Sequence, residues 1–297
     1  MRETAIIRML PDGRRLHLHD GPIDLIIEAN GSRSAVSTAY EAAARRFVSI
    51  LDELCSELPQ LRTRARKNSE RPRGVVAQRM FAAVEPYCED CFITPMAAVA
   101  GAVAEEILES MTAASTLDRA YVNNGGDIAL HLTDSQLYKI GMVERPDRPS
   151  LFGTLEISAA DRVRGIATSG WHGRSFSLGI ADAVTVLADT AAAADSAATV
   201  IANAVNLPGH PGITRVPARE LSPDSDLGDL RVTRGVEPLS DSEIFAALDS
   251  GVRVAETLRA QGLIHSSALC LQSHTRVVSP TFAQASIDLF QRSLLHA

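Results

Sequence analysis

The sequence predicts an α+β fold of mixed, largely antiparallel sheets packed with long alanine-rich helices. Three observations carry this. Short segments of strand-like residues come in blocks separated by turn residues, the pattern of antiparallel hairpins. Long segments with helical spacing, two of them rich in alanine, interrupt those blocks. No glycine-rich dinucleotide fingerprint follows a strand and no phosphate-loop motif occurs, so a doubly wound parallel sheet is not indicated.

The elements follow in order. Residues 4–10, 15–19 and 23–28 are separated by Pro11-Asp12-Gly13 and Asp20-Gly21, and predict a β-meander. Phe47, Ile50, Leu51 and Leu54 recur at helical spacing in a segment 38–58 that follows Ser34 and Ser37, and predict a helix. Arg62, Arg64, Arg66, Lys67, Arg71 and Arg73 then form a basic stretch, either a solvated loop or a loop facing phosphate. A short helix is expected over 75–84. Thr94-Pro95 opens a second long helix with proline at its first position. Its small residues at 97, 98, 100, 101, 102 and 104 leave it smooth, able to lie close to a sheet or a ligand, although tight core packing explains them equally.

Strands are expected next at 120–123, 128–132, 137–143, 152–157, 163–168 and 184–188. Residues 191–205 predict an alanine-rich helix capped by Asp189 or Thr190. Residues 208–229, rich in Gly, Pro and Asp, are expected as an exposed loop. A helix over 243–261 is stopped by Gly262, and a strand over 265–272 follows. The expected organisation is one domain over 1–280, built of two intertwined α+β halves, with a short helical tail over 281–297.

Composition narrows the partners. The net charge of −7 disfavours nucleic acid and anionic membrane. Aromatic residues make up 4% of the chain, too few for a base-stacking platform. No apolar run reaches the roughly 20 residues of a membrane span. The start, Met1-Arg2-Glu3-Thr4, lacks the apolar core of a secretory signal, so a cytoplasmic location is expected. Cysteines at 55, 88, 91 and 270 are too few for a disulfide scaffold. Cys88-Glu89-Asp90-Cys91 reads as a redox pair, as half of a metal site, or as buried structural thiols, and the histidines show no zinc-ligand spacing.

Three segments are candidates for chemistry. Asn123-Asn124-Gly125-Gly126-Asp127 sits between two strands, where paired glycines either bring backbone close to a ligand or make a plain hairpin turn. Ala167-Thr168-Ser169-Gly170-Trp171-His172-Gly173-Arg174 ends a strand with backbone N–H groups and an arginine suited to phosphate, or is again a hairpin loop. Asp195 and Thr199, four apart on a helix, share one face, and Asn203 continues the stripe. A carboxylate and a hydroxyl one turn apart can hold a hard cation such as Mg²⁺, waters and phosphate oxygens completing the shell.

In this order, Gly-Gly-Asp between strands, Ser-Gly at a strand end, the strand Val184-Thr185-Val186 and the Asp195/Thr199 pair resemble the ApbE-like flavin transferase superfamily. Thr94-Pro95-Met96-Ala97-Ala98-Val99-Ala100-Gly101 looks most like its branch called uncharacterised protein family 0280, and the resemblance spans roughly residues 20–275. It implies an ApbE-like fold, binding of FAD or FMN, and a Mg²⁺-dependent FMN transferase or FAD pyrophosphatase activity. By the same resemblance Asp195 and Thr199 would ligate Mg²⁺, Gly125, Gly126 and Asp127 would approach the flavin nucleotide, and Ser169 and Gly170 would line the cofactor site. The alternatives are a non-catalytic flavin- or nucleotide-binding module and a redox-accessory protein. The expected partners are a small-molecule nucleotide or flavin and, left open, a second copy of the chain. The chain departs from the transferases in two places. Their His…Asp-Pro-Arg-Thr-Gly-like segment is replaced by residues 176–183 alone, and Ala100, Gly101 and Ala102 stand where their central helix carries a lysine.

Overall fold

The structure, a computed structural model, describes residues 5–143 and 151–279, and of residues 142, 143 and 151–155 the backbone alone. The chain start at 1–4 and the tail expected over 281–297 lie outside the described residues. In chain order the elements are β1 (Ile6–Met9), β2 (Leu16–Asp20), β3 (Ile23–Asn30), α1 (Arg33–Ser56), α2 (Leu58–Leu61), α3 (Val75–Val84), α4 (Val99–Ala114), β4 (Arg119–Asn124), β5 (Asp127–Leu132), β6 (Leu137–Val143), β7 (Leu151–Ser158), β8 (Gly165–Ser169), β9 (Ala183–Ala188), α5 (Ala191–Ala204), β10 (Ile213–Pro217), α6 (Ala218–Leu221), β11 (Arg231–Val236), α7 (Asp241–Ala260), β12 (Ser266–Leu271) and β13 (His274–Val278). They form two compact units, each discontinuous in sequence. The first comprises residues 1–137, 158–167 and 188–196, and the second the remainder.

In the first unit β1, β2, β3, β4, β5 and the start of β8 pair in that order, all antiparallel. Strict alternation along β2 and β3 sends Leu16, Leu18, Leu25 and Ile27 to the buried face, where helices pack. α1 begins five residues before the periodic segment suggests. Its cap is Ser32, in extended backbone, whose hydroxyl accepts the Ala35 N–H at 3.2 Å, while Ser34 and Ser37 lie inside the helix. The helix expected to start at Pro95 opens instead as a 3₁₀ turn over Pro95–Ala98 and becomes α-helical at Val99. The residue before a proline is driven to extended backbone, and Thr94 sits at φ −114°, ψ 159°. α4 then buries Gly101, Ala102, Val103 and Ala104 in succession, so its smoothness serves packing on more than one side.

The starts of α4 and α5 meet head to head. The cap position of α4 is Ala98, which has no oxygen to offer. Asp195 of α5 supplies it, Oδ2 accepting the Gly101 N–H at 3.0 Å. In return Glu105 of α4 accepts the Ala192 N–H of α5 at 2.7 Å. Thr190 adds a local cap, its hydroxyl accepting the Ala193 N–H at 3.2 Å, while Asp189 pairs with Arg162 at 2.8 Å. Thr190, one of the two expected caps, is used. The approach is close enough that a Cβ on Gly101 would overlap the carbonyl group of Ala191 and lie 2.7 Å from the Ala192 nitrogen.

In the second unit β9, β12 and β13 pair antiparallel, with α7 packed on β12 and β13. β6 pairs with β7, and β10 with β11 across a bulge at Thr214/Arg215. The stretch 208–229 is therefore no simple loop, since it carries β10 and α6, and β11 and β13 were not expected at all. α7 starts two residues before the expected 243, closed by a capping box between Ser240 and Glu243, and Gly262 ends it at φ 75°.

Gly101→Ala tests the head-to-head contact. In a free helix alanine is favoured over glycine by about 1 kcal/mol. Here the added methyl meets backbone that cannot swing away, and overpacking of that kind costs about 1–3 kcal/mol. The urea midpoint of Gly101→Ala is expected below that of the parent protein, and a higher midpoint would refute the close approach.

Candidate functional site

β4 and β5 are joined by Gly125 and Gly126, at φ 65° and 115°. Two successive left-handed residues make a tight primed hairpin turn, which glycine enters without steric cost. The turn alternative for this segment is thus realised. Its side chains also tie the turn to the start of α4. The Asn123 carboxamide accepts the Gly126 N–H at 2.8 Å, and the buried Asn124 amide donates to the Ala100 carbonyl at 3.1 Å. Gly126 faces open space on the side where a side chain would stand.

Asp127 and Asp195 come together at this point, close enough to repel. Burial pushes the Asp195 carboxyl well above the ordinary carboxylate range, and the charge of Asp127 pushes it the same way. The Gly101 and Ala100 N–H groups at the start of α4 oppose both by donating to the ionised form. The result is a strained pair of carboxylates in one patch, beside an open glycine turn. Among the described residues no cluster of three or more His, Cys, Asp or Glu side chains is arranged around a metal. The donor set here is two carboxylates, with the remaining positions left to water or ligand oxygens, an arrangement that suits Mg²⁺. Thr199 stands one turn beyond Asp195 on α5, half-buried. Asn203 leaves the proposed stripe. Its carboxamide oxygen accepts the Leu178 N–H at 2.9 Å and the Ser177 hydroxyl at 3.3 Å, a structural duty.

Ser169 and Gly170 lie in the second unit, at the end of β8. A Cβ on Gly170 would overlap the Asp182 carbonyl, so packing accounts for this glycine. Trp171 N–H continues the pairing by donating to Ala181 O at 3.0 Å. The following turn is organised by Asp182, a buried carboxylate that the sequence reasoning missed. It accepts from the Trp171 indole at 3.1 Å and the Gln272 N–H at 2.6 Å, and lies 3.1 Å from His172 Nε2. A lone carboxylate in the otherwise uncharged run Gly179–Ala188 was its visible signal, because a buried charge demands partners.

At the CxxC, the Cys91 thiol is held protonated by its surroundings. Both cysteines are free, Cys88 buried and Cys91 half-buried. Burial raises the Cys91 thiol, Asp90 raises it further, and Arg64 only partly offsets them. No described helix is long and apolar enough to cross a membrane.

Known proteins give a consistent placement. A UPF0280 protein of Methanopyrus kandleri is 36% identical over 183 residues, 61% of this chain and 69% of that protein. A UPF0280 protein of Methanococcoides burtonii is 44% identical over 123 residues, 41% of this chain and about half, 49%, of its own length. Among solved structures, the flavin transferase ApbE of Vibrio cholerae matches 94% of this chain and 99% of its own, with a TM-score of 0.50 at 11% identity, a likeness of fold. The expected ApbE-like α+β fold is the one observed. A family model described as AbpE bacteria matches residues 7–277, and the chain belongs to that family.

Proposed function

We propose that the chain binds a flavin nucleotide, FAD or FMN, through a Mg²⁺ ion held at the paired carboxylates Asp195 and Asp127. The single observation that carries this is the juxtaposition of two repelling carboxylates beside the open turn Gly125-Gly126. A divalent cation relieves that repulsion, and the glycines leave room for a bulky ligand to approach backbone. The family and its flavin transferase relative in Vibrio cholerae support the choice of ligand.

The geometry also limits how a diphosphate can bind. The start of a helix attracts anions, but at α4 the Gly101 and Ala100 N–H groups already serve Asp195. A diphosphate therefore reaches this patch through a cation. When bound, Mg²⁺ would neutralise charge on the diphosphate and polarise its P–O bond. The chain's own parts do the rest: α4 fixes Asp195 by backbone hydrogen bonds, Asn123 and Asn124 hold the turn, and Asp127 shares the charge. Transfer of FMN to a protein or cleavage of FAD to FMN and AMP are the two activities this arrangement supports. Binding without chemistry is the second reading, favoured by the short segment 176–183 in place of the transferases' longer one.

Two measurements decide. Mixing with FAD is expected to change flavin fluorescence in a Mg²⁺-dependent way, and Asp195→Ala to abolish that dependence. Chromatography of the mixture separates the readings, with AMP or FMN appearing for an enzyme and intact FAD for a binder. No flavin response with or without Mg²⁺ would remove the proposal.

The second measurement is stability against pH. Folded Asp195 holds its proton to higher pH than the unfolded carboxyl, which releases it near about 3.9. Below that value both states are protonated and no penalty exists. As pH rises from about 4 towards the raised folded value, the unfolded state loses its proton first and stability falls. In EDTA the melting temperature of the parent protein should therefore decline over this range more than that of Asp195→Asn. Excess Mg²⁺ at neutral pH should raise the parent and not the variant.

A further inference from the structure

The basic loop between α2 and α3 plays no part in the site above. It places Arg62, Arg64, Arg66, Lys67, Arg71 and Arg73 within residues 62–73, where Glu70 is the single acid, in a chain of net charge −7. Such crowding of like charge opposes compact folding unless something offsets it. Some of these groups have structural partners. Arg71 pairs with Glu85 at 2.9 Å and lies over the Phe81 ring, 5.6 Å from its centroid. Arg64 donates to the Cys91 carbonyl at 3.3 Å and lies 5.9 Å over the Phe92 ring. These contacts hold the Arg64 guanidinium in place without neutralising it.

The loop itself is anchored. Ala65 is buried, and its N–H donates to the Ile93 carbonyl at 2.8 Å. A local turn follows, in which the Ser69 hydroxyl accepts the Arg66 N–H at 3.1 Å. Arg66 and Lys67 project from that turn, exposed, and form no ion pair among the described residues. Together with Arg64, Asn68, Cys88 and Glu89 they line a cleft of about 570 Å³. Three cations thus face one carboxylate across a space of the size that takes a small ligand.

We propose that this cleft binds a small phosphorylated anion, with Arg64, Arg66 and Lys67 as its charge partners and the Asn68 amide as a neutral donor. Guanidinium groups match phosphate oxygens by paired N–H donors, and lysine adds a mobile point charge. Charge and lining favour a small anion over a long polyanion. Glu89 stands in the wall, the net charge repels nucleic acid, and no aromatic side chain lines the cleft to stack a base. None of the lining residues belongs to the glycine turn or to α5, so this site is independent of the Mg²⁺ proposal.

Calorimetry on the full chain, in EDTA, tests it with pyrophosphate and with ADP. The parent protein is expected to bind pyrophosphate, and Arg66→Ala/Lys67→Ala to weaken binding at least about tenfold, as expected when charge-assisted hydrogen bonds are lost. Both side chains are exposed, so the melting temperature should not fall. Arg66→Lys/Lys67→Arg should restore most of the affinity. Asp195→Asn, which keeps an oxygen to cap α4, should bind pyrophosphate as the parent does, which separates failure here from failure of the flavin reading. Tighter binding of ADP would identify a nucleotide as the source of the phosphate, and equal binding a free phosphate compound; either supports the site. No heat with pyrophosphate, undiminished affinity in the double alanine variant, or binding of heparin alone would overturn it.

Discussion

The first unit depends on an exchange of carboxylates between two helix starts. The N-terminal ends of α4 and α5 both carry partial positive charge and unpaired N–H groups, so bringing them together is unfavourable unless acceptors are supplied. Neither helix satisfies the contact alone. Ala98 cannot cap α4, and Thr190 reaches only one N–H of α5. Asp195 and Glu105 cross over, each serving the other helix. The exchange works only at very short separation, which is why Gly101 stands where a side chain would strike Ala191 and why Gly165 meets the Thr190 carbonyl on the other side.

That exchange sets the charge at the candidate site. Asp195, half-buried, is held by the amide groups it caps, and the β4–β5 turn, pinned to Ala100 through Asn124, brings Asp127 beside it. Two opposing influences then act on one carboxyl. Backbone N–H groups favour its ionised form, while burial and Asp127 oppose it. A carboxylate under such tension responds to any added positive charge. The Gly101 and Ala100 amides, which at a free helix start would attract an anion, already serve this carboxylate.

Much of this architecture was legible in the sequence and some was not, for reasons that can be traced. α3 matched its expected bounds because a glycine precedes a run of unbroken helical periodicity. The β4–β5 hairpin was visible in Asn-Gly-Gly-Asp. β13 was hidden because its turn from β12 uses Gln272 and Ser273, at φ 43° and 66°, in place of the glycine or asparagine such a turn prefers. Tertiary bonds hold it there: the Gln272 N–H donates to Asp182, and its side chain bridges Leu239 N–H and the Glu237 carbonyl. β10 and β11 were masked by glycine and proline at their borders. At the site, Asp195 was found through its spacing from Thr199, but its role as a cap for a helix 94 residues away could not be read from local pattern.

The second unit uses its polar groups to hold its own fold. Residues 176–183 lead into β9, and several of their backbone and side-chain polar groups are committed within the unit. The Leu178 N–H goes to Asn203, the Ile180 N–H to the Val205 carbonyl, and the Asp182 N–H to Cys270. Gly179 is pressed against the Ala202 carbonyl, and the Asp182 carboxylate is shared by Trp171, His172 and Gln272. A segment so fully used in holding its own fold has little left to recognise a nucleotide. The groups that the fold leaves under electrostatic tension lie instead in the first unit, where the charge of Asp127 raises the Asp195 carboxyl while backbone N–H groups favour its ionised form.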